Sequence, residues 1–205
     1  MTRHESRLNL VVALSAEAKA INRILDLQRV MSDSGFSLYT RDDVSLIVTG
    51  PGMEAVQMGV GYLQQRNKTA RPDWLNIGIA GHADLPLGQA VTASRVIGPT
   101  PGYCRDLHPL ALPRCLSIPI CTVPQPETDY PKPWAYDMEA AGFVAAALET
   151  SPLSRIQVLK IISDNRRHPS RSINAKMVKA LLMQHTELIR QLVVRMNDHA
   201  LTSNS

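Results

Sequence analysis

The chain has 205 residues, of which 44% are hydrophobic, 20% charged and 4% aromatic, a size that suits one domain burying roughly 70% of its unfolded surface. This excludes a mostly disordered chain, and no apolar run reaches the ~20 residues of a membrane helix. The net charge of +4 raises the question of nucleic acid, but the basic residues are scattered and aromatics hardly interleave with them.

Strand-like and helix-like runs alternate. The polar opening 1–7 lacks a signal-peptide core, so a cytoplasmic protein with no membrane partner is expected. Residues 8–14 form an apolar run, β-branched at its centre. Residues 16–25 are good helix formers with Ala18, Ile21, Ile24 and Leu25 at helical spacing. Segments 36–40 and 44–49 bracket Arg41-Asp-Asp43 as a hairpin. Gly50-Pro-Gly52 breaks the chain before a helix over 53–63. A buried strand follows over 74–80, ending at Gly81, and another over 89–97. Nine of the fourteen prolines fall within 99–133, which predicts no helix there and strand only over about 116–123. The three cysteines, Cys104, Cys115 and Cys121, are too few and too irregular for a disulfide framework or a zinc site, and free thiols are expected. A helix over 138–149 and a strand over 156–162 come next. A single amphipathic helix over about 173–196 closes the chain, its stripe made of Met177, Val178, Leu181, Leu182, Leu188, Ile189, Leu192 and Met196. This alternation predicts a single α/β domain over 1–205, with a mixed, largely parallel central sheet flanked by helices.

In such sheets, ligands bind beyond the carboxyl ends of the strands. Glu17 follows the first strand, Gly50 and Gly52 the hairpin, and Gly78 and Gly81 end the 74–80 strand. Asp164 follows the 156–162 strand and Glu139 opens a helix. With parallel strands these residues converge on one rim. Each also has a plainer reading alone. Glu17 and Glu139 suit the first turn of a helix, Ser163-Asp-Asn165 suits a turn or cap, and Met138 is core as readily as ligand contact. His82 reads as surface or structural, Asn165 and Arg166 as loop, and the cluster Arg166, Arg167, His168 and Arg171 as a solvated loop.

Five segments taken in order make the pattern specific: Leu14-Ser-Ala-Glu17, Val48-Thr-Gly-Pro-Gly-Met-Glu-Ala55, Asn76-Ile-Gly-Ile-Ala-Gly81 with Gly88 downstream, Asp137-Met-Glu-Ala-Ala141, and Ile161-Ile-Ser-Asp-Asn165. Together they resemble the purine nucleoside phosphorylase and nucleosidase superfamily, above all the methylthioadenosine/S-adenosylhomocysteine nucleosidases, over nearly the whole chain except 99–133.

The resemblance implies a nucleoside phosphorylase-like fold and cleavage of the N-ribosidic bond of a purine nucleoside, adenosine-like with a modified 5′ end. It implies Asp164 as the group that protonates or hydrogen-bonds purine N7, and Glu17 as the base acting on water. Glu139 would hold the ribose hydroxyls and Met138 would pack on the sugar. Gly81, Ile79, Pro51 and Ser163 complete the implied substrate-binding set. No cofactor and no metal are expected, since acid–base chemistry suffices and no His/Cys set has ligand spacing. A homodimer or larger homo-oligomer is expected. Glu17 favours hydrolysis, because phosphorylases commonly place an arginine in this loop. Ile79 departs from the small hydroxyl residue usual in the family. The alternatives are a phosphate-dependent phosphorylase and a nucleoside-binding protein without catalysis. The segment 99–133 is shorter than in the family, with Tyr103, Tyr130 and Trp134 as the aromatics available for base stacking.

Overall fold

A computed structural model describes residues 7–33, 35–67 and 69–202; the segment 1–6, read above for a signal peptide, lies outside the described residues. The strands are β1 (Leu8–Val12), β2 (Gln28–Val30), β3 (Ser37–Arg41), β4 (Val44–Val48), β5 (Asp73–His82), β6 (Ala90–Ile97), β7 (Cys104–Asp106), β8 (Cys115–Thr122), β9 (Ala135–Asp137) and β10 (Ile156–Asp164). The helices are α1 (Ser15–Leu25), α2 (Met53–Asn67), α3 (Ala140–Ala147), α4 (Ala175–Met183) and α5 (Thr186–Thr202).

The long central pairings are parallel: β1 with β4 and β5, β5 with β10, and β6 with β8. Antiparallel pairs form the β2–β3–β4 edge and the β6–β7 arm. The sheet also curls on itself, because β10 pairs with both β5 and β6 while β9 joins β8 back to β5. Curling brings the carboxyl ends of β1, β5 and β10 and the end of β9 around one rim.

The central strands β1, β5 and β10 are buried on both faces, and their side chains alternate between two cores. Leu10, Leu75, Ile77, Leu159 and Ile161 pack with α1, α4 and α5. Val11, Trp74, Val158 and Ile162 pack with α2 and α3 on the other side. Gly142 lets α3 lie against the start of α2, since a Cβ there would come within 2.8 Å of the Met53 carbonyl.

The strands over 8–14, 36–49, 74–81 and 156–162 fall where expected, but three predictions need correction. The closing helix is two, because the apolar stripe is interrupted at His185 and Thr186: His185 Nε2 lies 2.6 Å from the Gly88 carbonyl, and Thr186 Oγ1 donates to the Met183 carbonyl. The helix expected from 138 begins at Ala140, leaving Met138 and Glu139 ahead of it. Short strands β2, β7 and β9 lack an amphipathic pattern and were not legible. All three cysteines are free, and none of the described helices is long and apolar enough to cross a membrane.

Candidate active site

A cavity of about 430 Å3 opens at this rim, and Glu17, Pro51, Ile79, Gly81, Met138, Glu139, Ser163 and Asp164 all lie on its wall. These eight residues expected from the sequence are therefore brought together.

Glu17 is the third residue of α1 and only 2% exposed. Its Oε2 accepts the N–H groups of Ala13 (3.0 Å) and Leu14 (2.8 Å), and its Oε1 accepts that of Ile79 (3.1 Å). The carboxylate thus closes the α1 N-terminus and ties β1 to β5. Burial pushes its pKa up to about 7, against the pull of Lys160 and the backbone N–H groups. Oε1 keeps acceptor capacity, since only one of its lone pairs is engaged. Ile79 holds Glu17 through its backbone, which any residue provides; its side chain adds apolar wall.

Glu139 is reached through the glycine turn. Gly50 and Gly52 both have positive φ (+89° and +98°), and Gly52 N–H donates to Glu139 Oε1 at 3.0 Å. Glu139 is free to face the cavity because other residues satisfy the start of α3. Asp137 Oδ2 accepts the Ala140 N–H, and Thr122 Oγ1 accepts the Ala141 N–H while donating to Asp137 Oδ1. Burial raises the pKa of the Glu139 carboxyl, with Lys160 opposing.

Lys160, missed in the sequence, joins these carboxylates. It sits mid-β10, fully buried, with Nζ 2.8 Å from Asp137 Oδ2 and 3.7 Å from Glu139 Oε2. Burial disfavours its charge, but Asp137, Glu139 and Glu17 outweigh that and hold the ammonium above its ordinary range. Gly78 pairs with Lys160 across β5 and β10. A Cβ there would meet Glu17 Oε1 at 2.9 Å and Lys160 Nζ at 3.3 Å, so the missing side chain lets the two groups share one small space. The available signal was a lone charge inside an apolar strand, which cannot be buried without partners.

Asp164 ends β10 at a register shift between Ile162 and Asp164, the kind of irregularity that re-aims a side chain. Ser163 Oγ donates to its Oδ1 at 2.6 Å, and Tyr130 Oη donates to its Oδ2 at 2.7 Å. The base-stacking candidates are corrected: Tyr130 is buried off the cavity wall, Tyr103 Oη donates to the Ala141 carbonyl, and Trp134 lies under Lys132. The aromatic ring on the wall is Tyr136. The basic cluster is not merely solvated. Arg171 reaches the cavity, and Arg166 pairs with Asp84 and donates to the Asp129 and Tyr130 carbonyls. His82 Nδ1 accepts the Asp84 and Leu85 N–H groups, a structural role, and burial lowers its pKa. Among the described residues, no group of three or more His, Cys, Asp or Glu side chains could hold a metal ion.

The fold is the nucleoside phosphorylase-like α/β fold of its structural neighbours, and in this chain three acidic side chains converge from separate strand ends onto one cavity. Many of these neighbours are methylthioadenosine/S-adenosylhomocysteine nucleosidases. The Helicobacter pylori nucleosidase with butyl-thio-DADMe-Immucillin-A superposes with a TM-score of 0.75 at 12% identity, covering 93% of this chain and 98% of that one. The Chlamydia trachomatis nucleosidase gives 0.68 at 25% identity, covering 93% and 98%. A futalosine hydrolase mutant of Helicobacter pylori gives 0.73 at 11%, covering 93% and 99%. No family model matches the sequence, and no curated protein matches it.

Proposed function

We propose that the protein hydrolyses the N-ribosidic bond of a purine nucleoside, adenosine-like and modified at the 5′ end. The carrying observation is that Glu17, Glu139 and Asp164 line one cavity, each held by hydrogen bonds from a different part of the fold. Support comes from neighbours that are nucleosidases crystallised with adenine or nucleoside-like inhibitors.

The chemistry follows from an oxocarbenium-like sugar. The bond from the anomeric carbon to the base nitrogen breaks, and its electron pair goes to the purine. Asp164 delivers a proton to N7 of that purine. Glu139 accepts hydrogen bonds from the ribose hydroxyls, and Met138 packs against the sugar. Water adds to the anomeric carbon and yields its proton to Glu17. The products are free base and free pentose. Ile79, Gly81, Pro51 and Ser163 shape the wall or hold these groups. The same reading carries a homo-oligomeric, cytoplasmic protein.

The test is product identity, by chromatography of base and sugar with and without added phosphate. Free pentose independent of phosphate supports hydrolysis, whereas pentose 1-phosphate with obligatory phosphate replaces it by phosphorolysis. Tight nucleoside binding with neither product favours a binding protein. Within the hydrolytic reading, Asp164→Asn keeps the acceptor for Ser163 or Tyr130 but has no acidic proton, and turnover should fall at least ~10²-fold. A near wild-type rate in a folded variant would reduce Asp164 to a structural residue.

A further inference from the structure

We propose that Tyr130 is a positioning residue for Asp164, fixing its carboxyl from behind the cavity and strengthening it as the donor to the leaving base; this rests on the nucleosidase reading above. Tyr130 is 3% exposed and comes from the proline-rich segment that has no counterpart among the five motifs.

Four features hold the phenol in place. Its hydroxyl donates to Asp164 Oδ2 at 2.7 Å, while Ser163 occupies Oδ1. Gly81 makes the approach possible, because a Cβ there would lie 2.5 Å from Asp164 Oδ2 and 3.0 Å from the Tyr130 hydroxyl. Tyr136 packs edge-on against the ring, with centroids 5.9 Å apart and planes at 69°. Arg166, anchored on Asp84, grips the Asp129 and Tyr130 carbonyls through Nη2 at 3.4 and 3.2 Å.

The backbone adds a second kind of observation. Tyr130 has φ +47°, a left-handed conformation that is unfavourable for a bulky side chain and persists only where the surroundings impose it. Burial and the neighbouring carboxylate raise the pKa of the phenol, so it remains a protonated donor.

Two consequences follow for the chemistry. With both oxygens engaged, the carboxyl keeps one orientation toward the purine, and misplacement by an ångström is costly to rate. As Asp164 gives its proton to the base, negative charge grows on the carboxylate, and a hydrogen bond to an ionised acceptor is stronger than one to a neutral group. The phenol therefore helps most as the proton is transferred.

The experiment compares wild type, Tyr130→Phe and Asp164→Asn on two ribosides. One is whichever of adenosine, inosine and 5′-methylthioadenosine the wild type cleaves fastest. The other is 4-nitrophenyl β-ribofuranoside, whose nitrophenolate leaves without a proton. Tyr130→Phe should lower kcat on the purine nucleoside by roughly 10- to 100-fold, with KM little changed. On the aryl riboside Tyr130→Phe should match wild type, while Asp164→Asn sets the full loss on the purine nucleoside. Equal losses on both ribosides, or no loss on the purine nucleoside, overturn the role. Wild-type protein that cleaves neither riboside overturns the nucleosidase reading and this proposal with it. Should Tyr130→Phe fail to fold, a fluorinated tyrosine at the same position keeps the ring and alters only the donor. It should change the purine rate alone, and an unchanged purine rate overturns the role.

Discussion

Lys160→Met should destabilise the protein by about 3–5 kcal/mol at neutral pH, the usual cost of leaving a buried charge without its partner. Methionine matches the length of the lysine stem and fills the same strand position, so little of the loss is packing. What is lost is the ammonium 2.8 Å from Asp137 and 3.7 Å from Glu139, with Glu17 acting on it as well. The pH dependence has a definite sign. The folded pKa of Glu17 lies at about 7, above its ordinary value of 4.5, so between these values the native state binds more protons than the unfolded chain. Stability from this group therefore falls as pH rises from about 4.5 to 7. Lys160 opposes that shift, and removing it deepens the fall. Urea denaturation at pH 5.5 and pH 8 checks this: the gap between wild type and Lys160→Met should widen at the higher pH. A gap that is absent, or equal at both, would mean that the carboxylates find other partners.

The acidic residues were legible because each follows a strand end, where an α/β sheet exposes its ligand rim. Glu17 after β1, Glu139 before α3 and Asp164 closing β10 needed only the strand order. Their supports were harder to see. Lys160 is separated from Asp137 in sequence, and only the closing of β9 onto β5 and β8 puts them together. Tyr130 reaches Asp164 through a left-handed turn gripped by Arg166, and no periodicity relates residue 130 to residue 164. Ile79 lacks the hydroxyl usual in the family, and the bond it makes to Glu17 comes from the backbone, which no side-chain pattern reveals. The break between α4 and α5 was written in the sequence as two polar residues on the apolar stripe, His185 and Thr186. A loop carbonyl, that of Gly88, supplies the partner that explains it.

Glu17→Gln should lower kcat by roughly 10²- to 10⁴-fold while nucleoside affinity changes little, the signature of a base needed in the transition state more than in the ground state. The variant is not silent structurally. Glu17 accepts three backbone N–H groups on two oxygens, and a glutamine amide must turn its NH2 toward at least one of those donors. That donor is left buried and unpaired, at a cost of about 1–3 kcal/mol, so unfolding must be measured beside turnover. The pH profile separates the two effects. Water is activated only by ionised Glu17, whose pKa of about 7 is matched to a base working near neutrality. Wild-type kcat/KM should therefore climb with pH toward about 7 on an acidic limb set by Glu17, whereas residual Glu17→Gln activity should show no such limb. The same carboxylate repels a phosphate dianion in a partly desolvated cavity, so phosphate should leave the wild-type rate unchanged. A folded Glu17→Gln protein with the wild-type rate and the same acidic limb would remove Glu17 from the chemistry and leave it as the buried tie between α1 and β5.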